Sequence, residues 1–241
     1  MLNINKNQKK IRSNLLVHWT GRGLPDCNTP DGVREYIERL ASVYREGLHL
    51  SLPESTDILR SVNPNDVALP HLPCICFTEL RIRDAVSFAT DYGKMGIGFR
   101  REYLMKYGAN PVFYLQSASF GIVNTNMSEL RKIVKQEYLP AADVILAYCK
   151  PMNRICEEAM VYYEEHEWRI VQASGGIQLP IEFKLNISRN IMSFHFDPRE
   201  VQIIVLPNSE VRAKALEDIF LRKIFKTNMP MMLDYDVCSE L

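Results

Sequence analysis

No stretch of this sequence approaches the ~20 consecutive apolar residues needed to span a bilayer. The opening Met-Leu-Asn-Ile-Asn-Lys-Asn-Gln-Lys-Lys is polar and lacks the apolar core of a signal peptide. An excess of one charge is missing too. The 29 Lys and Arg match 29 Asp and Glu, which excludes a strongly basic nucleic-acid coat. Six cysteines, at 27, 74, 76, 149, 156 and 238, are too few and too scattered for a disulfide-stapled scaffold. These absences lead us to expect a cytoplasmic protein in a reducing compartment, with no membrane partner. The chain holds no Gly-Lys-Ser/Thr phosphate loop, no Gly-x-Ser-x-Gly elbow and no His-Glu-x-x-His zinc helix, so common hydrolase and triphosphatase readings lack support. Gly93-Lys94-Met95-Gly96-Ile97-Gly98 is no dinucleotide fingerprint, because no strand leads directly into it and no helix start follows at the correct spacing. Cys74-x-Cys76 with His71 lacks a matching second pair, so buried free thiols are expected there rather than a metal.

What is present is enough for a sizeable core: 241 residues, 46% hydrophobic and 24% charged. One domain is expected over 1–241, with a polar segment at 1–10 and a loosely held tail at 229–241. Leu15 to Trp19 reads as a first strand closed by the Gly21-Arg22-Gly23 turn. Val33, Tyr36, Ile37, Leu40, Val43 and Tyr44 recur every three or four residues, giving a helix from Pro30 to about Glu46. Thr29 is its expected N-cap and Gly47 its stop. Four prolines make 50–73 an irregular excursion. Further strands are expected at 74–77, 97–99, 112–115, 168–172, 181–185 and 201–206. Helices are expected at 81–92, at 128–138 with Leu130, Ile133 and Val134 inward, and at 211–225. Asn208 or Ser209 caps the last helix, with Leu216, Ile219, Phe220 and Ile224 on one face. The type of 143–148 stays open. Strands and helices interleave without regular alternation, so we expect an α+β domain with a mixed, mostly antiparallel sheet and flanking helices.

Residues 163–172, Tyr-Glu-Glu-His-Glu-Trp-Arg-Ile-Val-Gln, are the most telling stretch. Carboxylates immediately before a strand-forming run are costly to bury unpaired, so they are either solvated or held at a cleft mouth. Glu165 and Glu167 share a face if the strand already runs there, and paired carboxylates can divide acid and base roles. In the first strand His18 and Thr20 project to one face and Trp19 to the other. Cys76-Phe77-Thr78-Glu79 likewise sets polar groups at a strand end. Each motif alone has a bland account, a solvated strand end or a surface ion pair contributing under ~1 kcal/mol.

Cys76-Phe77-Thr78-Glu79, Tyr92-Gly93-Lys94-Met95-Gly96-Ile97-Gly98-Phe99, Glu165-His166-Glu167-Trp168-Arg169-Ile170-Val171 and Val201 to Leu206, taken in this order, resemble the abortive-infection AbiGi family and its uncharacterised bacterial relatives. That resemblance implies a phage-resistance protein of toxin–antitoxin type, paired with a protein from the same operon. A weaker resemblance is to the ADP-ribosyltransferase fold, with NAD as the substrate. It implies that His18, with Thr20 beside it, bonds the adenosine ribose. It implies a middle position at Thr78 or Tyr92, with Tyr92 stacking on nicotinamide. It also implies a catalytic Glu167, or Glu165, that stabilises positive charge as nicotinamide leaves. On that reading Glu167→Gln would keep the fold and abolish NAD turnover. The sequence departs from that fold in having two glutamates and no Ser-Thr-Ser run. Two further readings stand beside the NAD-dependent enzyme. One is a non-enzymatic antitoxin or protein-binding regulatory module. The other, disfavoured by the neutral balance, is a nucleic-acid binder using Arg81, Arg83, Arg100, Arg101 and Lys106.

Overall fold

A computed structural model describes residues 14–52, 72–79, 89–115, 126, 129, 132–151, 165–172, 183–186 and 191–238. Its centre is a seven-stranded sheet in the order β12-β11-β4-β1-β3-β8-β5. The strands are β1 (Leu15–Thr20), β3 (Cys74–Thr78), β4 (Met95–Arg100), β5 (Asn110–Pro111), β8 (Glu167–Val171), β11 (Val201–Leu206) and β12 (Met231–Asp234). Every pairing in it is antiparallel except β11 with β12, so the class is α+β with a mixed, mostly antiparallel sheet. Two small sheets flank it. One joins β2 (Leu48–His49), β10 (Ile191–Phe194) and β9 (Phe183–Asn186); the other joins β6 (Phe113–Leu115) and β7 (Cys149–Pro151).

Alternation along β1 divides the core. Leu16 joins Ile97, Phe99, Phe77 and Ile170 on the face covered by the long helix α1 (Pro30–Glu46), which contributes Val33, Tyr36 and Leu40. Val17 and Trp19 pack with Val205, Tyr235 and Cys238 on the other face. Helix α1 starts where its cap predicts, with the Thr29 hydroxyl accepting from Gly32 N at 3.1 Å, and stops at Gly47 (φ +81°). Glycines in β4 make room for β1 and β11: a Cβ at Gly96 would lie 2.9 Å from Val17 Cγ1, and one at Gly98 would lie 2.3 Å from Ile203 Cγ2. The neighbours that close in there are side chains rather than backbone.

Several expectations are corrected. The strand expected over 112–115 is β6 and starts one residue later, at Phe113, while the two-residue β5 before Val112 belongs to the central sheet. Helix α3 (Arg101–Met105) follows β4, and residues 139–147, left open in part, form helix α4 (Leu139–Ala147). Ile133 is 77% exposed rather than inward. The helix expected over 211–225 is two, α5 (Ser209–Glu217) and α6 (Ile219–Phe225), broken at Asp218. The break turns the buried face to Val211, Ala215, Leu221 and Phe225, leaving Ile219 69% exposed. Part of the tail expected to be loose is held instead: β12 pairs along β11 from Ile203↔Met231 to Leu206↔Asp234, and α7 (Tyr235–Cys238) buries Tyr235 and Cys238. The expectations for 1–10, for most of 50–73 and for 81–88 lie outside the described residues.

Asn208 caps α5 through Val211 N, and Asp218 both ends α5 and caps α6, accepting from Phe220 N at 3.0 Å and Leu221 N at 2.9 Å. Asp218→Ala is expected to cost ~1 kcal/mol, read as a lowered midpoint in urea unfolding. An unchanged midpoint would show that the break is held by packing alone.

Candidate functional site

The short helix α2 (Ala89–Tyr92) delivers Tyr92, β7 delivers Lys150, and β8 with the turn before it delivers Glu165, Glu167 and Arg169. His166 takes a left-handed conformation (φ +44°), so Glu165 reaches the same place as Glu167 through a turn and not through strand alternation. The four charged side chains are all buried, between 2% and 4% exposed. Lys150 Nζ lies 2.5 Å from Glu165 Oε2 and 2.6 Å from Glu167 Oε2. Arg169 Nε donates to the other Glu167 oxygen at 2.6 Å, and Arg169 Nη1 donates to the Ala147 carbonyl at 2.7 Å. Tyr92 OH donates to Glu165 Oε1 at 2.8 Å, and the Glu167 amide donates to Tyr114 OH at 2.7 Å. Among the described residues, two cations and two carboxylates therefore form a charge-balanced network.

That network sets the two glutamates apart. Burial pushes the Glu167 carboxyl up, but Arg169 and Lys150 outweigh it and hold the group at about 2. Glu165 is raised instead, because burial and the neighbouring Glu167 prevail over its share of Lys150. Burial also dominates at Tyr92, whose hydroxyl is raised well above the ordinary tyrosine range and stays a proton donor.

Strand register places the remaining predicted residues. Directly opposed residues of adjacent antiparallel strands share a face. Val17 opposes Thr78, and Thr78 opposes Glu167, so Thr78 and Glu167 lie on the Val17–Trp19 face. His18 and Thr20, which oppose Ile97 and Met95, lie on the opposite face. All six predicted residues nevertheless border one cleft of about 510 Å³. The reason is local: β1 and β3 register only through Val17↔Thr78, and the Cys76 carbonyl is met at 2.9 Å by His18 Nδ1. On the α1 side the cleft is bounded by His18, Arg39, Ser42 and His49; on the other side it is bounded by Trp19, Tyr92 and the charged network. Thr78 is committed structurally, its hydroxyl accepting from Trp19 Nε1 at 2.9 Å. Burial shifts the His18 imidazole toward its neutral form against the Cys76 bond, and Arg39 and His49 add to the shift. The Nδ1–H donor then leaves Nε2 an acceptor.

Sequence reasoning missed Lys150, Arg169 and Arg39. Arg169 had a signal, since it follows Glu167 by two residues on the same strand face. Lys150 and Arg39 had none, because nothing near them in the chain marks them as cleft residues. Glu79, quoted for the resemblance, serves the fold: its carboxylate accepts from Trp168 Nε1 at 2.9 Å and pairs with Arg101 at 2.5 Å. Cys74 and Cys76 are free thiols with their sulfurs 3.8 Å apart. Among the described residues no group of three or more His, Cys, Asp or Glu side chains could hold a metal, and no helix is long and apolar enough to cross a membrane. Of the basic patch, Arg100 bonds Gln202 and Arg101 pairs with Glu79.

No curated protein and no solved structure matches the chain. A family described as "Putative abortive phage resistance protein AbiGi, antitoxin" matches residues 53–206, well over half of the sequence. The matched stretch holds Thr78, Tyr92, Lys150, Glu165, Glu167 and Arg169, and leaves His18, Thr20 and Arg39 outside it. With that match, and with the motifs around Glu79, Tyr92 and Glu167 inside it, the chain belongs to the AbiGi family of abortive phage resistance proteins.

Proposed function

We propose that this chain is the antitoxin of an abortive-infection phage resistance system, and that it acts by binding a toxin protein from the same operon rather than by turning over a substrate. The family description supports the antitoxin role. One observation carries the non-enzymatic part: each Glu167 oxygen is already engaged by a cation, Lys150 on one and Arg169 on the other. A carboxylate stabilises a developing positive charge through negative charge left uncompensated in a dry site. Glu167 has none to spare, and Glu165 shares Lys150. The test is twofold. Co-expression with the neighbouring gene should yield a stable one-to-one assembly by size-exclusion chromatography with light scattering. The purified chain should release no nicotinamide from NAD above the buffer rate. Steady nicotinamide release would overturn the non-enzymatic reading, and failure to assemble would overturn partner binding.

A second reading, an NAD-dependent ADP-ribosyltransferase-like cleft, is supported by the cavity that His18 borders together with Thr78, Tyr92 and Glu165. His18 Nε2 suits a ribose hydroxyl as acceptor. Glu167 does not suit its assigned part, having no free oxygen to orient a second ribose. Calorimetry with NAD tests this reading: binding lost in His18→Ala would favour it, and no heat of binding by the wild-type chain would end it.

A further inference from the structure

The charged residues bordering the cleft, among the described residues, are not balanced. Among these described residues, four cations, Arg22, Arg39, Lys150 and Arg169, stand against three carboxylates, Asp91, Glu165 and Glu167. Lys150 and Arg169 are consumed by the buried network. Arg39 makes no ion pair among the described residues, although its helix neighbour Arg34 pairs with Asp31 and Glu35. Its charge nevertheless acts inside the cleft, since it is one of the groups that disfavour protonation of His18. Ser42, one helical turn further along α1, borders the same wall. The aromatic rings of Trp19 and Tyr92 border the same cleft. The volume of about 510 Å³ lies within the ~300–1,000 Å³ typical of small-molecule sites.

We infer that the α1 wall of this cleft binds the phosphate group of a small ligand, with Arg39 as the anchor. The planar guanidinium can give two parallel N–H donors and the Ser42 hydroxyl a third. A tetrahedral phosphate has three oxygens for three such donors, whereas a carboxylate has two. The His18 acceptor and the aromatic rings suit the hydroxylated, ring-bearing remainder of such a ligand. This site goes beyond partner binding and does not depend on whether NAD is turned over.

Calorimetric titration of the full chain at low salt, with ADP, adenosine and inorganic phosphate as probes, tests it. We expect ADP to bind, adenosine to bind ~10-fold or more weakly than ADP, and inorganic phosphate to compete with ADP. Arg39→Glu should weaken ADP ~10-fold or more, and Arg39→Lys should recover only part of that loss. Arg39 is exposed on α1, so the thermal midpoint of both variants should match the wild type and keep a loss of binding distinct from a loss of fold. No binding of ADP, equal binding of ADP and adenosine, or undiminished ADP affinity in Arg39→Glu would each overturn the assignment. Because ADP carries no nicotinamide, the result is separate from any turnover measurement.

Discussion

Glu167→Gln is expected to lower the unfolding free energy at pH 7 by about 3–5 kcal/mol, because it removes one charge from a buried, balanced network and leaves the buried Arg169 without its carboxylate. Arg169 then faces a neutral amide, and Lys150 keeps only Glu165. This reverses the expectation drawn from the ADP-ribosyltransferase resemblance, in which the substitution spares the fold. Glu167→Gln combined with Arg169→Met restores neutrality and should recover at least half of the loss, since neutral replacement of a buried pair is far less costly than breaking it. Urea unfolding of the wild type and both variants decides the matter. A single variant within ~0.5 kcal/mol of wild type would mean that the network is solvated and of little weight.

The same group predicts an acid limb. Its folded value of about 2 lies below the ordinary 4.5, so the ionised carboxylate stabilises the folded state fully above pH 4.5. That contribution is lost as pH falls from 4.5 through about 2. Glu165 is shifted the other way and works against the folded state at neutral pH. In Glu167→Gln the stability lost between those two pH values should shrink accordingly.

Gly93→Ala is expected to cost roughly 2–5 kcal/mol, the second large effect. Gly93 has φ +97°, a conformation L-residues avoid, and an added Cβ would lie 2.3 Å from Arg22 N, 2.4 Å from Gly21 C and 2.6 Å from Thr20 O. Those are backbone atoms of the end of β1 and the turn after it, which cannot swing aside like a side-chain tip. Gly23→Ala is the matched control. It carries φ +77° but nothing within 4 Å of the added carbon, so it should show only the conformational cost of ~1 kcal/mol. Equal losses in the two variants would remove the close approach from the account. The change should also disturb Tyr92, one residue earlier, and through it the hydrogen bond to Glu165.

Much of the fold was legible because it is written within a few residues of itself. The stripe from Val33 to Tyr44 and the Thr29 and Gly47 boundaries specify α1 with no reference to the rest of the chain. The 211–225 segment misled because its helical period continues through Asp218, whose carboxylate instead caps a new helix. Residues 229–238 misled because their order comes from β11, a partner distant in sequence from any signal of their own. For the cleft, alternation placed His18 and Thr20 on one face of β1 and left open which glutamate faces inward. Both do, because His166 turns the chain between them.

The amino-acid order by itself determined the helix α1, most strands, the α+β class and the motifs that mark the AbiGi family, since caps and periodicities act over a turn of helix or a few positions of strand. Only the tertiary structure decided that Lys150 and Arg169 neutralise the two glutamates, that His18 borders the same cleft as they do, and that Arg39 stands at its α1 wall. Those outcomes depend on which strands lie side by side, and strand order is set by long-range packing that no local pattern encodes.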